Sequence, residues 1–391
     1  MRSASRLADI APFHVMELLT RAKQLEAAGR DIIHMEVGEP DFPTPATIVE
    51  AAQRAIAGGR MFYTPALGLP ELREAISRFY AGRYQVAVPA SRIVVTAGAS
   101  GALTLALACL VEPGSEWLLT DPGYPCNRHF IRAFEGVPVS IPVDAASNFQ
   151  PTTADLERFW SAKTAGALFA SPANPTGTML LPSELAALAA YCEAERIQLI
   201  SDEIYHGIEY APLAGGDRLA RSAWETSREA VVFSSFSKYF SMTGWRIGWM
   251  LVPDRLRRAT DVLTGNFTIC PPVLAQHACL AAFDDASYAE LDGHVRRYAD
   301  NRALLLDGLP RLGITRLAPA DGAFYVYADV GHLTDDTMAF CHDVLARTGV
   351  AMAPGIDFDT VDGGRFVRLS FAGQGPVIEA ALERLSTVVD R

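Results

Sequence analysis

Four times along this chain a short apolar run ends in a cluster of turn residues, with helical spacing between the runs. A compact apolar run of this kind reads as a buried strand, and buried strands separated by helical patterns imply parallel strands joined by crossover helices. One unit is explicit: after Pro182-Ser183 a helix is expected to carry Leu185, Leu188, Ala189 and Cys192 on one face before the strand run Ile197-Gln198-Leu199-Ile200. Two outlying segments read differently. Phe13 to Ala28 places Val15, Leu18, Leu19, Ala22 and Leu25 at helical spacing and stops at Gly29, and Pro376 opens a last helix with Ile378, Leu382 and Leu385 on its inner side. These two ends are expected to pack together. The expected fold class is α/β: a three-layer α/β/α large domain with a mainly parallel sheet over residues 39–285, and a smaller α+β domain over 286–391 joined by the segment 1–38.

Composition narrows the function. With 391 residues, half of them hydrophobic, the chain can bury a large core and two domains. Its formal charge of −11, with no basic block, gives no footprint for nucleic acid or an anionic membrane surface, so small-molecule chemistry is the expectation. The opening Met1-Arg2-Ser3-Ala4-Ser5-Arg6-Leu7 has no apolar run behind it and reads as neither signal nor anchor, and no stretch approaches the ~20 apolar residues of a spanning helix. Cys109, Cys126, Cys192, Cys270, Cys279 and Cys341 are scattered, without zinc spacing, which fits a reducing cytoplasm and no metal site.

Ligands of open α/β sheets sit outside the carboxyl ends of the strands, so the residues just beyond each run matter most. Trp117-Leu118-Leu119-Thr120 leads to Asp121-Pro122-Gly123-Tyr124, and Ala167-Leu168-Phe169-Ala170 leads to Ser171-Pro172-Ala173-Asn174-Pro175-Thr176-Gly177. Ile197 to Ile200 leads to Asp202-Glu203-Ile204-Tyr205, and Val231-Val232-Phe233 leads to Ser234-Ser235-Phe236-Ser237-Lys238. An aromatic ring, an amide, a carboxylate with a phenol, and a lysine are thereby expected on one rim.

Pyridoxal phosphate needs such a set. Its aldehyde is held by a lysine amine, which Lys238 supplies, and its ring nitrogen stays protonated beside a carboxylate, which Asp202 supplies. Tyr205 and Asn174 suit the ring's O3′, and Tyr124 can stack on the ring. The phosphate calls for backbone donors at a helix start, and Gly98-Ala99-Ser100-Gly101 opens an apolar helix after the strand Ile93-Val94-Val95. Ser235, Ser237 and the fixed guanidinium of Arg246 complete that cradle.

The segment from Ser235 to Gly248, with Lys238 and Arg246 eight positions apart, resembles the cofactor-lysine signature of the fold-type I, class I/II aminotransferases. Asn174-Pro175-Thr176-Gly177 and Asp202-Glu203-Ile204-Tyr205 resemble that family's neighbouring motifs, in the same chain order. The resemblance implies a transaminase that moves the amino group of an L-amino acid to a 2-oxo acid in two stages, with Lys238, Asp202 and Tyr205 catalytic. It also implies that Arg368, in Phe366-Val367-Arg368-Leu369-Ser370, clamps the substrate α-carboxylate beside Asn174, and that Gly38 lies against the substrate. Tyr63 resembles the tyrosine that reaches the phosphate of a neighbouring subunit, which implies a homodimer with shared sites. Some dicarboxylate-specific members carry a lysine where this chain has Ser100, so donor preference stays open.

Taken singly, each residue has a plainer explanation: Lys238 as a surface lysine, Asp202 as a helix cap, Arg246 and Arg368 as surface ion pairs, Asn174 as a turn former. Their ordered co-occurrence is what points to one cofactor. A hydrolase nucleophile turn at Ser100 fails because Ala102 stands where glycine is required. His34, His206 and His342 have no spaced partner and receive no role. The nearest rival is a lyase with the same cofactor, such as a carbon–sulfur β-lyase; a non-catalytic cofactor-binding module is the rival from outside enzymology.

Overall fold

The structure, a computed structural model, describes residues 4–59, 61–210 and 220–389; Met1–Ser3 of the opening stretch lie outside the described residues. A seven-stranded sheet forms the centre, in the order Ile93–Thr96, Gly248–Leu251, Val231–Ser235, Gln198–Asp202, Thr164–Ala170, Glu116–Asp121, Val137–Pro142. All neighbours are parallel except Gly248–Leu251, which runs antiparallel to both strands beside it. That reversal is not announced by the apolar runs. A parallel return usually runs through a crossover helix, whereas the link after Ser235 holds only the 3₁₀ turn Thr243–Trp245.

Helices cover both faces, and the strands show why. Along Ile93–Thr96, Ile93 and Val95 enter one apolar cluster and Val94 the other. Leu118, Phe169, Leu199 and Val232 face the first cluster, while Trp117, Leu168, Ile200 and Val231 face the second, as a side-chain period of two requires. The helix Gly98–Leu110 seals the second cluster with Leu103, Leu105, Ala106 and Leu107. The helix Pro182–Ala194 seals the first through the expected Leu185, Leu188, Ala189 and Cys192, and each fully buried leucine contributes about 1.5–3 kcal/mol of transfer free energy. Proline opens that helix, and Glu184 Oε2 accepts from the Leu181 N–H at 2.7 Å.

A second sheet, antiparallel, orders Ala353–Pro354, Phe366–Ser370 and Tyr325–Asp329, and the short strand Ile33–His34 pairs in parallel with Val350–Ala351. The helix His14–Ala27 and the last helix, Gly375–Val389, meet around this pair: Leu18 and Ala22 share a core with Ile378, Ala381 and Leu385, and Arg384 reaches the Asp31 carbonyl at 3.1 Å. Among the described residues no helix is long and apolar enough to cross a membrane.

Candidate active site

The carboxyl ends of the parallel strands open onto a cavity of about 250 Å³, with Gly38, Asn174, Asp202, Tyr205, Lys238 and Arg368 in its lining. Ala99, Ser100, Tyr124, Ser235, Ser237 and Arg246 line it too. Tyr63 does not: it is 79% exposed in the loop ahead of the helix Pro70–Tyr84.

Each position has a local cause. Asp202 is the last residue of its strand, paired between Ala170 and Phe233, and its Oδ1 accepts from the Ile204 N–H at 3.2 Å. Burial pushes this carboxyl up to about 6, against the pull of that N–H and of the Lys238 charge. Lys238 comes just after the end of the strand Val231–Ser235, and its Nζ donates to the Gly38 carbonyl at 2.5 Å. Burial, and then the positive charge of Arg368 and Arg246, bring its amine down to about 8, while Glu39 and Asp202 oppose the fall. Tyr205 shares a 2.6 Å hydrogen bond with Tyr325, and burial lifts its phenol well above the usual value.

One end of the cavity is a place for an anion. The helix Gly98–Leu110 starts with no side-chain cap, so the N–H groups of its first turn have no side-chain acceptor, and two residues of that turn, Ala99 and Ser100, line the cavity. Arg246 lies against this helix start; a Cβ on Gly98, which holds φ +71°, would come within 2.7 Å of Arg246 Nη2. Arg246 is itself held by Nη1 on the Thr243 carbonyl at 2.9 Å. Ser235 Oγ accepts from the Ser237 N–H at 3.0 Å, fixing the serine pair beside it.

At another part of the wall is the second guanidinium. Arg368 is 2% exposed; Nη1 donates to Asn174 Oδ1 at 2.8 Å and Nη2 to the Glu36 carbonyl at 2.5 Å. Its plane is flanked by the rings of Tyr325 and Phe358, at 4.4 and 4.6 Å from the ring centres. While Oδ1 accepts from Arg368, the Asn174 amide keeps its N–H₂ as a donor. Gly38 is required by close approach, since any Cβ there would collide with the Tyr325 hydroxyl.

Several lining residues carry no signal in the sequence. Tyr325 lies on a strand whose apolar run announces only burial, and its bond to Tyr205 crosses 120 positions. Phe13, Val15 and Met16 also line the cavity. Of these, Val15 belongs to the helical spacing visible in the sequence, but that spacing does not tell that the helix start faces the site. His206 sits instead against Tyr84 and Glu203, and His34 against Glu26 and Glu36.

A sheet-rim cavity that gathers an amine, one carboxylate and two guanidinium groups has the chemistry to hold a small anionic molecule. The chain belongs to the aminotransferase class I and II family, whose profile matches residues 30–385. It is 49% identical to the valine–pyruvate aminotransferase of Mycobacterium tuberculosis over 380 residues, 97% of each chain. It is 32% identical to an aspartate aminotransferase of Thermotoga maritima, covering 99% of this chain and 97% of the relative. The crystal structure of an aminotransferase from Mycobacterium tuberculosis superposes with a TM-score of 0.96 at 48% identity, covering all of both chains. The protein is therefore an enzyme that transfers an amino group between an amino acid and a 2-oxo acid, and these relatives do not favour the lyase alternative.

Proposed function

We propose that the protein is a pyridoxal-phosphate transaminase working by a ping-pong cycle on L-amino acids, with a neutral, apolar amino acid as preferred donor. The observation that carries this reading is the single cavity lined by Lys238, Asp202, Arg246 and Arg368. The donor set fits the cofactor at each point: an uncapped helix start with Arg246 for the phosphate, a buried carboxylate for the ring nitrogen, and an amine for the aldehyde.

When bound, pyridoxal phosphate supplies an electron sink for the charge left on the substrate Cα as its proton departs. Lys238 would hold the cofactor, and its amine, when free, would take and return the Cα proton. Asp202, largely ionised near neutrality, holds the proton on the ring nitrogen. Tyr205 and Asn174 would donate to the ring oxygen, and Tyr124 would pack against the ring. Ala99, Ser100, Ser235, Ser237 and Arg246 would bind the phosphate. Arg368 receives the substrate α-carboxylate, with Asn174 beside it and Gly38 leaving room.

Donor preference comes from the rest of the lining. Among the described residues, the cations that line the cavity are Lys238, Arg246 and Arg368, assigned to the aldehyde, the phosphate and the α-carboxylate, which leaves none of these three for a side-chain carboxylate; Phe13, Val15, Met16 and Val37 present apolar surface. The valine in the name of the mycobacterial relative agrees with this. Tyr63, exposed beside the 76%-exposed Phe62, is proposed to serve the phosphate of a second subunit in a homodimer. Residues 39–285 are proposed as the cofactor-binding domain, and 1–38 with 286–391 as the smaller one, supported by their separate sheets.

The test is a half-reaction panel: holoenzyme with single amino acids, following loss of the cofactor's visible band, then each 2-oxo acid to restore it. Apolar donors are expected to react and aspartate not. Release of ammonia without consumption of a 2-oxo acid would overturn the reading, and sedimentation as a monomer would remove the role of Tyr63. A second expected outcome concerns the depressed Lys238 amine. Lysine captures an aldehyde only as the neutral amine, so cofactor capture by the apo-protein is expected to quicken as pH rises toward about 8 and level off above it. At pH 7.5 such an amine is neutral roughly two orders of magnitude more often than an ordinary lysine. Stopped-flow capture rates still climbing steeply at pH 9.5 would contradict this.

A further inference from the structure

The helix His14–Ala27 has no cap of its own: Phe13 occupies the N-cap position and offers no side-chain hydrogen bond. The missing acceptor comes from the far end of the chain. Asp357, 5% exposed, accepts from the His14 N–H through Oδ1 and from the Val15 N–H through Oδ2, both at 2.8 Å. One carboxylate thus satisfies two of the open donors and complements the positive end of the helix dipole.

Asp357 is itself rigidly mounted. It ends the 3₁₀ turn Gly355–Asp357, where Phe358 N bonds the Gly355 carbonyl at 2.8 Å. The Phe358 carbonyl accepts from the Gly123 N–H at 2.9 Å and from Arg128 Nη2 at 3.0 Å, and Thr360 N donates to Asp121 Oδ1 at 2.9 Å. The turn is therefore pinned to the rim of the large sheet on one side and grips the helix on the other. Phe13 continues the path: its ring meets Tyr124 and Phe358 edge to face, each at 6.5 Å, and Phe358 backs the Arg368 guanidinium. Phe13, Val15 and Met16 line the cavity, whereas Asp357 does not.

We propose that Asp357 is a positioning residue for donor selection: by fixing the first turn of the helix His14–Ala27, it holds Phe13, Val15 and Met16 as an apolar wall facing the donor's side chain. This rests on the reading of the cavity as an amino-acid site. A wall that meets only the side chain discriminates between donors through binding, and a change of one or two methylenes against such a wall is worth roughly 10–200-fold. Its effect belongs in KM and varies with donor size, whereas general damage to the site would fall on every donor alike.

The test uses the holoenzyme with Asp357→Asn, which keeps the shape but turns an N–H₂ toward one of the two helix N–H groups. The half-reaction is measured with alanine, valine and leucine. KM for valine and leucine is expected to rise about 10-fold, KM for alanine to stay within about 2-fold, and kcat and the visible band to persist. Equal changes for all three donors, or none, would overturn the proposal. Met16→Ala, which leaves the clamp intact on a half-exposed residue, tests the wall independently and is expected to raise the leucine-to-alanine KM ratio; an unchanged ratio overturns the proposal even if the Asp357 variant does not fold. A wild-type enzyme that reacts with no amino acid at all would overturn the cavity reading, and this inference with it. A reactive wild type whose Asp357→Asn variant keeps its donor ratios overturns this inference alone.

Discussion

Lys238→Ala is expected to lower the turnover of amino transfer by at least about 10⁴-fold, the upper part of what a positioned acid–base group contributes. Two functions go together: the covalent hold on the cofactor and the movable amine that carries the Cα proton. Among the described residues no second lysine lines the cavity, and one lining phenol, Tyr205, has its hydroxyl engaged with Tyr325 and its ionisation pushed far up by burial. Raising the pH should not rescue the variant, because the missing group is absent rather than protonated. The visible band of the lysine-bound cofactor should vanish, while a small primary amine such as ethylamine, diffusing into the vacated volume, should return part of the proton-transfer rate. A variant that retained both band and turnover would remove Lys238 from the mechanism.

Arg368→Ala should lower kcat/KM for amino acids by about 10²–10⁴-fold, since hydrogen bonds to charged groups are worth roughly 1.5–3 kcal/mol each and a carboxylate takes two from a guanidinium. The loss should appear mainly as weaker binding. The arginine is preset by Asn174, by the Glu36 carbonyl and by the two flanking rings, so little ordering is required when the carboxylate arrives. Arg368→Lys should recover little, because a compact ammonium cannot replace a planar fork. The decisive control is a simple amine without a carboxylate: it should react equally slowly with wild type and variant. If the variant were as impaired with that amine, Arg368 would be supporting the fold rather than reading the substrate. Some loss of stability is expected too, about 1–3 kcal/mol for each buried acceptor left without its donor.

The convergence of the strand-end groups on one cavity was largely legible. Asp202, Asn174, Ser235 and Lys238 each lie at or within a few residues of the end of an apolar run, and a parallel sheet must bring such ends to one rim. The helix start at Ala99 and Ser100 was legible for the same local reason. Tyr205 was visible as a phenol, but its partner was not. The reversed strand Gly248–Leu251 was hidden as well, because an apolar run does not encode its direction.

By itself, then, the sequence determined the class of fold and the order of the strand-end groups, since both depend on residues close together in the chain. Tertiary structure alone decided how the second sheet completes the cavity. Arg368 finds Asn174 across 194 positions and Glu36 across 332, and Asp357 caps a helix 343 positions away. Side-chain periodicity reports which way a residue faces within its own element. Which surface waits opposite is settled only when the elements pack, because burial and hydrogen-bond satisfaction act between neighbours in space.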